Sequence, residues 1–461
     1  MATSLFQDPI YRCFALQRPI AVNAQLVLRR LLDSRLLDDL FHRHAQTQTE
    51  RILLFSTLTH LMASVVLRKA ASVNAAFEKM RDQLLVSKTA VYEKLQRVEP
   101  QTVRELVRHS YRQVVELWRE CGGLPQHEVT GYEQRILDGN HLSATEHRLT
   151  ETRSQTAAPL PGKTLVVFDP RRGAVADIVP IEDGHAQERS ALDAIIETLQ
   201  ARQLWIADRN FCTLKLLYAI ANRRAAFVIR QHHQLHCTQR GRLRKLGKTQ
   251  TGEVLENELE LPAYEGQAVT VRRIVVRLLK PTRDGDREIV LLTNLPVDDA
   301  DALQVAELYL GRWRIEKAFN HITLAYNCEI KPLCYPRAAL FCFAIALVAY
   351  NAVSIVNATI AIEHSREDAA MMSHFAMSRE ILETTDGLLV ALPTSRWSEI
   401  ATLPIREFVA ELRTISRSLC LRTYRKSIRG PKKPLPQKLH NKRHVHLSTA
   451  KLLAARKKTR C

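Results

Sequence analysis

At 461 residues the chain is longer than one ordinary domain, and a prior of roughly 100 to 200 residues per domain predicts about three. A hydrophobic share of 46% is enough for real cores, while nine cysteines, odd in number, widely spaced and without a CxxC pair, exclude a disulfide framework and read as reduced thiols. A formal charge of +19 implies a polyanionic partner, most simply nucleic acid, because Lys and Arg gain affinity by releasing phosphate counterions.

The opening segment, MATSLFQDPIYRCFALQRP, carries Asp8 and lacks the basic, apolar, small-residue order of a signal peptide, which predicts an intracellular protein. Residues 1–125 read as a helical domain. Apolar residues recur at three and four in RILLFSTLTHLMASVVLRKA and TVRELVRHSYRQVVELW, and glycine is absent until CGGLP ends the region. Within it, LLVSKTAVYEKLQRVEP has the pattern of the second helix of a helix-turn-helix, with Ser87 as N-cap and Pro100 closing it. Lys88, Thr89, Tyr92 and Lys94 would then be available to DNA. The same spacing also describes an ordinary amphipathic helix, and both readings stand.

From residue 131 the period changes. RILDGNHL (135–142), KTLVVFDP (163–170) and GAVADIVPIE (173–182) read as three strands, followed by a helix (188–201), a strand (203–211), a helix (213–223) and a strand (226–232). Residues 233–300 break the alternation: TVRRIVVRLLK and REIVLLTNLP, joined by PTRDGD, give a hairpin signal and predict a β-rich insertion. HHQLHC (232–237) offers zinc-type ligands, but no second cluster with finger spacing follows, and it reads as a polar strand end. A helix containing YLGRWRIEKAF (309–319) comes next, within a segment 301–360. ALFCFAIALVAYNAVSIV (339–356) carries Asn351 and reads as a buried helix, so no membrane partner is expected. A helical region (361–420) precedes a basic tail (421–461) with 14 Lys and Arg and no Asp or Glu. That tail, containing RKSIRGPKKP, would bind DNA non-specifically through residues such as Arg425 and Lys426. A disordered solubilising segment is the alternative.

Three carboxylates have the placement that phosphodiester chemistry needs. Cutting or joining DNA with Mg²⁺ takes two or three acids converging on ions about 3.5 to 4 Å apart. Asp138 follows the apolar RIL on the first strand, and Asp208 ends LWIA on the fourth; in a sheet of this connectivity those strands are neighbours. Glu316 would come from the late helix, which turns Tyr309, Arg312 and Glu316 onto nearly one face. Asp169, Asp177 and Asp183 are rivals to Asp208, and an exposed Arg312–Glu316 pair is the bland alternative for the helix.

LDGNHL, IADRNF, LLTNLP and above all YLGRWRIEKAFN resemble the DDE transposases of bacterial insertion sequences, and more narrowly their fourth family, over residues 135–350. Tyr309, Arg312 and Glu316 match that family's signature residue by residue; the Lys expected seven positions after the Glu is Thr323. The resemblance implies an α/β fold: an RNase H-like catalytic core (126–232 and 301–360) interrupted by the β-rich insertion, behind an all-α DNA-binding domain. It implies Asp138, Asp208 and Glu316 as catalytic and metal-binding residues, with Mg²⁺ as cofactor and Mn²⁺ able to substitute. Tyr309, Arg312 and Arg209 would contact DNA. The partners implied are double-stranded transposon ends and target DNA, within a homodimer or larger synaptic assembly in the bacterial cytoplasm. A DNA-binding relative that has lost the chemistry, and an RNase H-fold nuclease without strand transfer, are the alternatives.

Overall fold

The computed structural model describes residues 5–48, 52–123, 128–282, 285–427 and 430. Its centre is a mixed sheet of nine strands: β1 (Glu133–His141), β2 (Lys163–Asp169), β3 (Ala174–Ile181), β4 (Gln203–Ala207), β5 (Ala226–Arg230), β6 (Thr238–Lys248), β7 (Gly252–Glu260), β8 (Thr270–Leu278) and β9 (Glu288–Thr293). They lie in the order β3-β2-β1-β4-β5-β9-β8-β7-β6. The β1–β2 and β2–β3 pairs are antiparallel, and β1–β4 and β4–β5 are parallel. The stretch 233–300 does not stand apart: its strands form an antiparallel meander that joins the core sheet where β9 pairs with β5. That pairing satisfies the backbone groups that β5 would otherwise leave open at a sheet edge.

Alternation along β4 and β5 gives the sheet two buried faces. Leu204, Ile206 and Val228 point into the larger core, shared with the helices before and after the sheet. Trp205, Ala207, Phe227 and Ile229 point into a second core beneath the helix Leu214–Asn222. Local signals set the N-terminal helices. Asp33 accepts from the backbone N–H groups of Arg35 and Leu36, and Ser87 from that of Ala90, so each satisfies donors that a helix start leaves free. Pro100, expected to close the helix Lys88–Arg97, instead opens the next one, Pro100–Glu120, where a missing N–H costs nothing.

The helix Pro336–Glu363 is long and apolar enough to cross a membrane, yet its apolar window is buried within the protein. It is apolar all round because neighbours surround it. Asn351 is its polar exception: fully buried, it donates to Ser110 Oγ and the Val175 carbonyl, and its Oδ1 accepts from the Val175 N–H at 2.7 Å. One side chain thereby ties this helix to Pro100–Glu120 and to β3. The described residues up to Arg425 form one compact unit. Most of the basic tail lies outside the described residues.

Candidate active site

The register of the parallel strands builds the site. Leu137 pairs with Ala207, and Ala207 with Ile229. The next residues along these three chains, Asp138, Asp208 and Arg230, therefore come level at one end of β1, β4 and β5, with adjacent strands about 4.8 Å apart. Asp208 leaves β4 as the cap of the short 3-10 helix Arg209–Phe211, its Oδ1 accepting from the Asn210 N–H at 2.8 Å.

The predicted helix over 309–319 is two helices, Ala302–Leu310 and Trp313–Ala325. The break falls at Gly311, where the bonds tighten: the N–H groups of Arg312, Arg314 and Ile315 each donate to the carbonyl three residues back. Both Gly311 and Arg312 keep right-handed helical dihedrals, so Arg312 and Glu316 still share a face. The Arg312 guanidinium lies between two acids, donating to Asp138 Oδ2 at 2.8 Å and to Glu316 Oε1 at 2.7 Å. Its Nε is buried without a hydrogen-bond partner, and its plane is about 6 Å from the rings of both Tyr309 and Trp313. Tyr309 is buried and Trp313 exposed.

Asp138 is pushed up from the usual 3.8 to about 6. Burial is the largest cause; Arg312 opposes it, and the nearby charges of Asp208 and Glu316 add to it. The charges of Asp208 and Glu316 thus reach Asp138. Because the folded-state value lies above the unfolded one, the contribution of Asp138 to stability is fully present below about pH 4 and is lost as pH rises through about 6. In chelator, urea unfolding should show stability falling over that interval, and Asp138→Asn should flatten the fall. An unchanged slope in the variant would place the titrating group elsewhere.

A fourth acid reaches the site. Glu188 lies so close to Gly139 that a Cβ there would sit 2.0 Å from its Oε1, and the same carboxylate accepts from the Asn210 side chain. A Cβ at Gly139 would push the flexible end of Glu188 aside, so the glycine makes room for this carboxylate and is not there for its backbone conformation. Sequence reading missed Glu188; the signal for it is the glycine directly after Asp138. It also missed Arg230, which ends its apolar strand as Asp208 ends LWIA.

The other predicted residues fall into distinct settings. Arg209 is half exposed and 4.0 Å from Asp286. Lys88 is exposed at the start of its helix, and Tyr92 is half-buried against the helical core. Lys94 is used internally, donating to the Leu53 carbonyl and lying over the Phe41 ring. Arg425 pairs with Asp368 at 2.8 Å, and Lys426 follows the last residue of the compact unit. The rivals to Asp208 have structural work. Asp169 is held by Tyr111 and Arg172, Asp177 by Arg104 and Arg108, and Asp183 accepts from the His185 N–H. Thr323 donates to the Phe319 carbonyl of its own helix.

Asp138, Asp208 and Glu316 are hard oxygen donors of the kind Mg²⁺ or Mn²⁺ takes. Among the described residues no three His, Cys, Asp or Glu side chains are gathered closely enough to hold an ion. Here the positive charge between Asp138 and Glu316 is the Arg312 guanidinium. The donor chemistry fits a divalent cation, and Arg312 would have to give up a carboxylate for one to bind.

Residues 130–352 match the family model for the transposase DDE domain, a span containing all nine strands and the acids at 138, 208 and 316. Over that span, just under half of the chain, the protein is similar to DDE transposases. Such a family points to a nucleic-acid-cleaving enzyme with DNA as partner, and its members typically use divalent metals. No curated protein matches the chain. Among solved structures, a piggyBac transposase synaptic complex with hairpin DNA aligns over 89% of this chain and 87% of its own, with 9% identity and a TM-score of 0.41.

Proposed function

We propose that this DDE transposase-like chain cleaves the ends of an insertion sequence and joins the freed 3′-hydroxyl to target DNA, with Asp138, Asp208 and Glu316 as its catalytic acids. The observation that carries the reading is the alignment of Asp138 with Asp208 on neighbouring parallel strands, with Arg312 linking Asp138 to Glu316. The strand order β3-β2-β1-β4-β5, antiparallel then parallel, supports an RNase H-like core. The Tyr309, Arg312, Glu316 spacing favours the fourth insertion-sequence family.

The three carboxylates would hold Mg²⁺, which when bound supplies an activated water and stabilises the leaving oxygen. The rest is work for the chain's own groups. Burial around Asp138 limits water near the reacting phosphate and strengthens each charge there. Arg312, released from its acids, offers a forked donor to phosphate, and Tyr309 and Trp313 hold its plane in place. Arg209 and Arg230 add positive charge on the β4–β5 side. Two ends must be joined, which calls for a homodimer or larger assembly.

A second reading, a DNA-binding relative without chemistry, is favoured by Thr323, whose hydroxyl is turned back on its own helix where a lysine would reach phosphate. One assay separates the two. Purified chain is incubated with Mg²⁺ and a duplex carrying the inverted repeats that flank its gene. Scission leaving a 3′-hydroxyl is expected, and binding without scission would favour the second reading.

A further inference from the structure

The side of the site formed by β4 and β5 carries two arginines that share one carboxylate. Asp286, in the turn between β8 and β9, presents Oδ2 to Arg230 Nη2 at 2.7 Å and to Arg209 Nη1 at 4.0 Å. Arg230 stands level with Asp138 and Asp208 in the sheet register, and its charge is felt by Tyr309. Asp286 is held in place by Thr282, which accepts from the Asp286 N–H at 3.0 Å. The carboxylate is one-third exposed and Arg209 nearly half exposed, so the arrangement opens to solvent beside the catalytic acids. Arg230 is hydrogen-bonded to the carboxylate and Arg209 stands at the outer limit of an ion pair with it, so two guanidinium groups, each able to fork onto phosphate oxygens, face one anionic position.

We propose that Arg230 and Arg209 form a seat for a phosphate of the bound DNA, and that Asp286 is its built-in occupant, displaced when DNA arrives. The inference rests on the DNA-processing reading above and adds to it a competitor carried on the β8–β9 turn. Without DNA, the carboxylate neutralises two cations that would otherwise face each other beside the site. It also sets a threshold: any polyanion must outcompete an intramolecular carboxylate, which disfavours loosely placed duplex more than duplex held by further contacts.

The test measures equilibrium binding of a fluorescein-labelled, random-sequence duplex by anisotropy, with the full chain and in chelator so that no strand is cut. Asp286→Asn keeps the size of the side chain and removes the charge, and is expected to tighten binding roughly three- to tenfold. The gain should vanish when Arg230→Gln and Arg209→Gln are also present, because the seat is then gone. Glu288→Gln serves as the charge control: Glu288 is close in sequence, exposed, and paired with Arg277 rather than with the seat. Equal gains from Asp286→Asn and Glu288→Gln would reduce the effect to net charge and overturn the proposal. So would a gain that survives loss of both arginines, or no gain while the wild type binds normally. If the wild type bound no duplex at all, the DNA-processing reading would fall first, and the seat with it. Circular dichroism and melting of each variant, with Asp286→Ser as a second charge-removing change, keep misfolding from passing as a result.

Discussion

Asp138→Asn, Asp208→Asn and Glu316→Gln should each lower strand cleavage by at least about 10³-fold while leaving the fold and DNA binding in place. Each change is isosteric and removes a negative charge that would otherwise balance a divalent cation. The transition-state stabilisation at stake is several kcal/mol, and about 1.4 kcal/mol corresponds to a factor of ten in rate. The three variants differ in one respect. Asp138→Asn also removes the charge that burial, and to a lesser degree the neighbouring acids, disfavour enough to push the Asp138 carboxyl up to about 6, so it should stabilise the cation-free protein above that pH. Glu316→Gln loses half of the Arg312 bridge and frees that guanidinium, so its DNA affinity should not fall. Cleavage of a labelled end duplex under single-turnover conditions, beside anisotropy on the same duplex, checks both quantities. Normal cutting by Asp208→Asn would move the second acid elsewhere.

Asp177→Ala should be the most damaging change outside the site, at about 3 to 5 kcal/mol of folding stability. Asp177 on β3 is buried and receives two forked pairs. Arg104 donates at 3.0 and 2.8 Å and Arg108 at 2.8 and 2.9 Å, all to the two oxygens of one carboxylate. Arg104 is itself buried, with its side chain 8% exposed. Removing the acid leaves that charge in the interior with only the Ala194 carbonyl and no counter-charge in contact. Because these pairs join the helix Pro100–Glu120 to the sheet, the loss should also loosen the helical region against the core. Urea unfolding read by circular dichroism gives the number. A cost under about 1 kcal/mol would mean that the network relaxes onto water or onto Glu105, which already accepts from Arg108.

That network shows how a sequence reading can be right about a residue and silent about its purpose. Asp177 was legible as an acid in a strand, and its alternation with apolar neighbours marked the strand well. Nothing in a linear pattern indicates that two arginines about 70 residues earlier will close on it. Asp138 and Asp208 were legible for a different reason. Both end or interrupt short apolar runs, and the succession of three strands, helix and strand restricts which strands can be neighbours. The helix break at Gly311 was not legible, because Gly311 and Arg312 retain helical dihedrals and the side-chain spacing survives the interruption. Glu188 and Asp286 were missed because neither belongs to a motif. One is recognised only by the missing Cβ of Gly139, the other only by where the β8–β9 turn ends.

Periodicity, composition and short motifs were sufficient for the helical front, the strand-rich middle, the basic excess and the choice of three candidate acids, because each depends on residues near one another along the chain. Pairing across distance was decided by packing alone. The meander of residues 233–300 joins the core sheet because the edge of β5 needs a partner, and Arg312 bridges Asp138 and Glu316 because a buried acid needs a counter-charge. Burial and backbone hydrogen bonding are properties of the assembled chain, and through them the tertiary structure brings separate acids and arginines together as one candidate site.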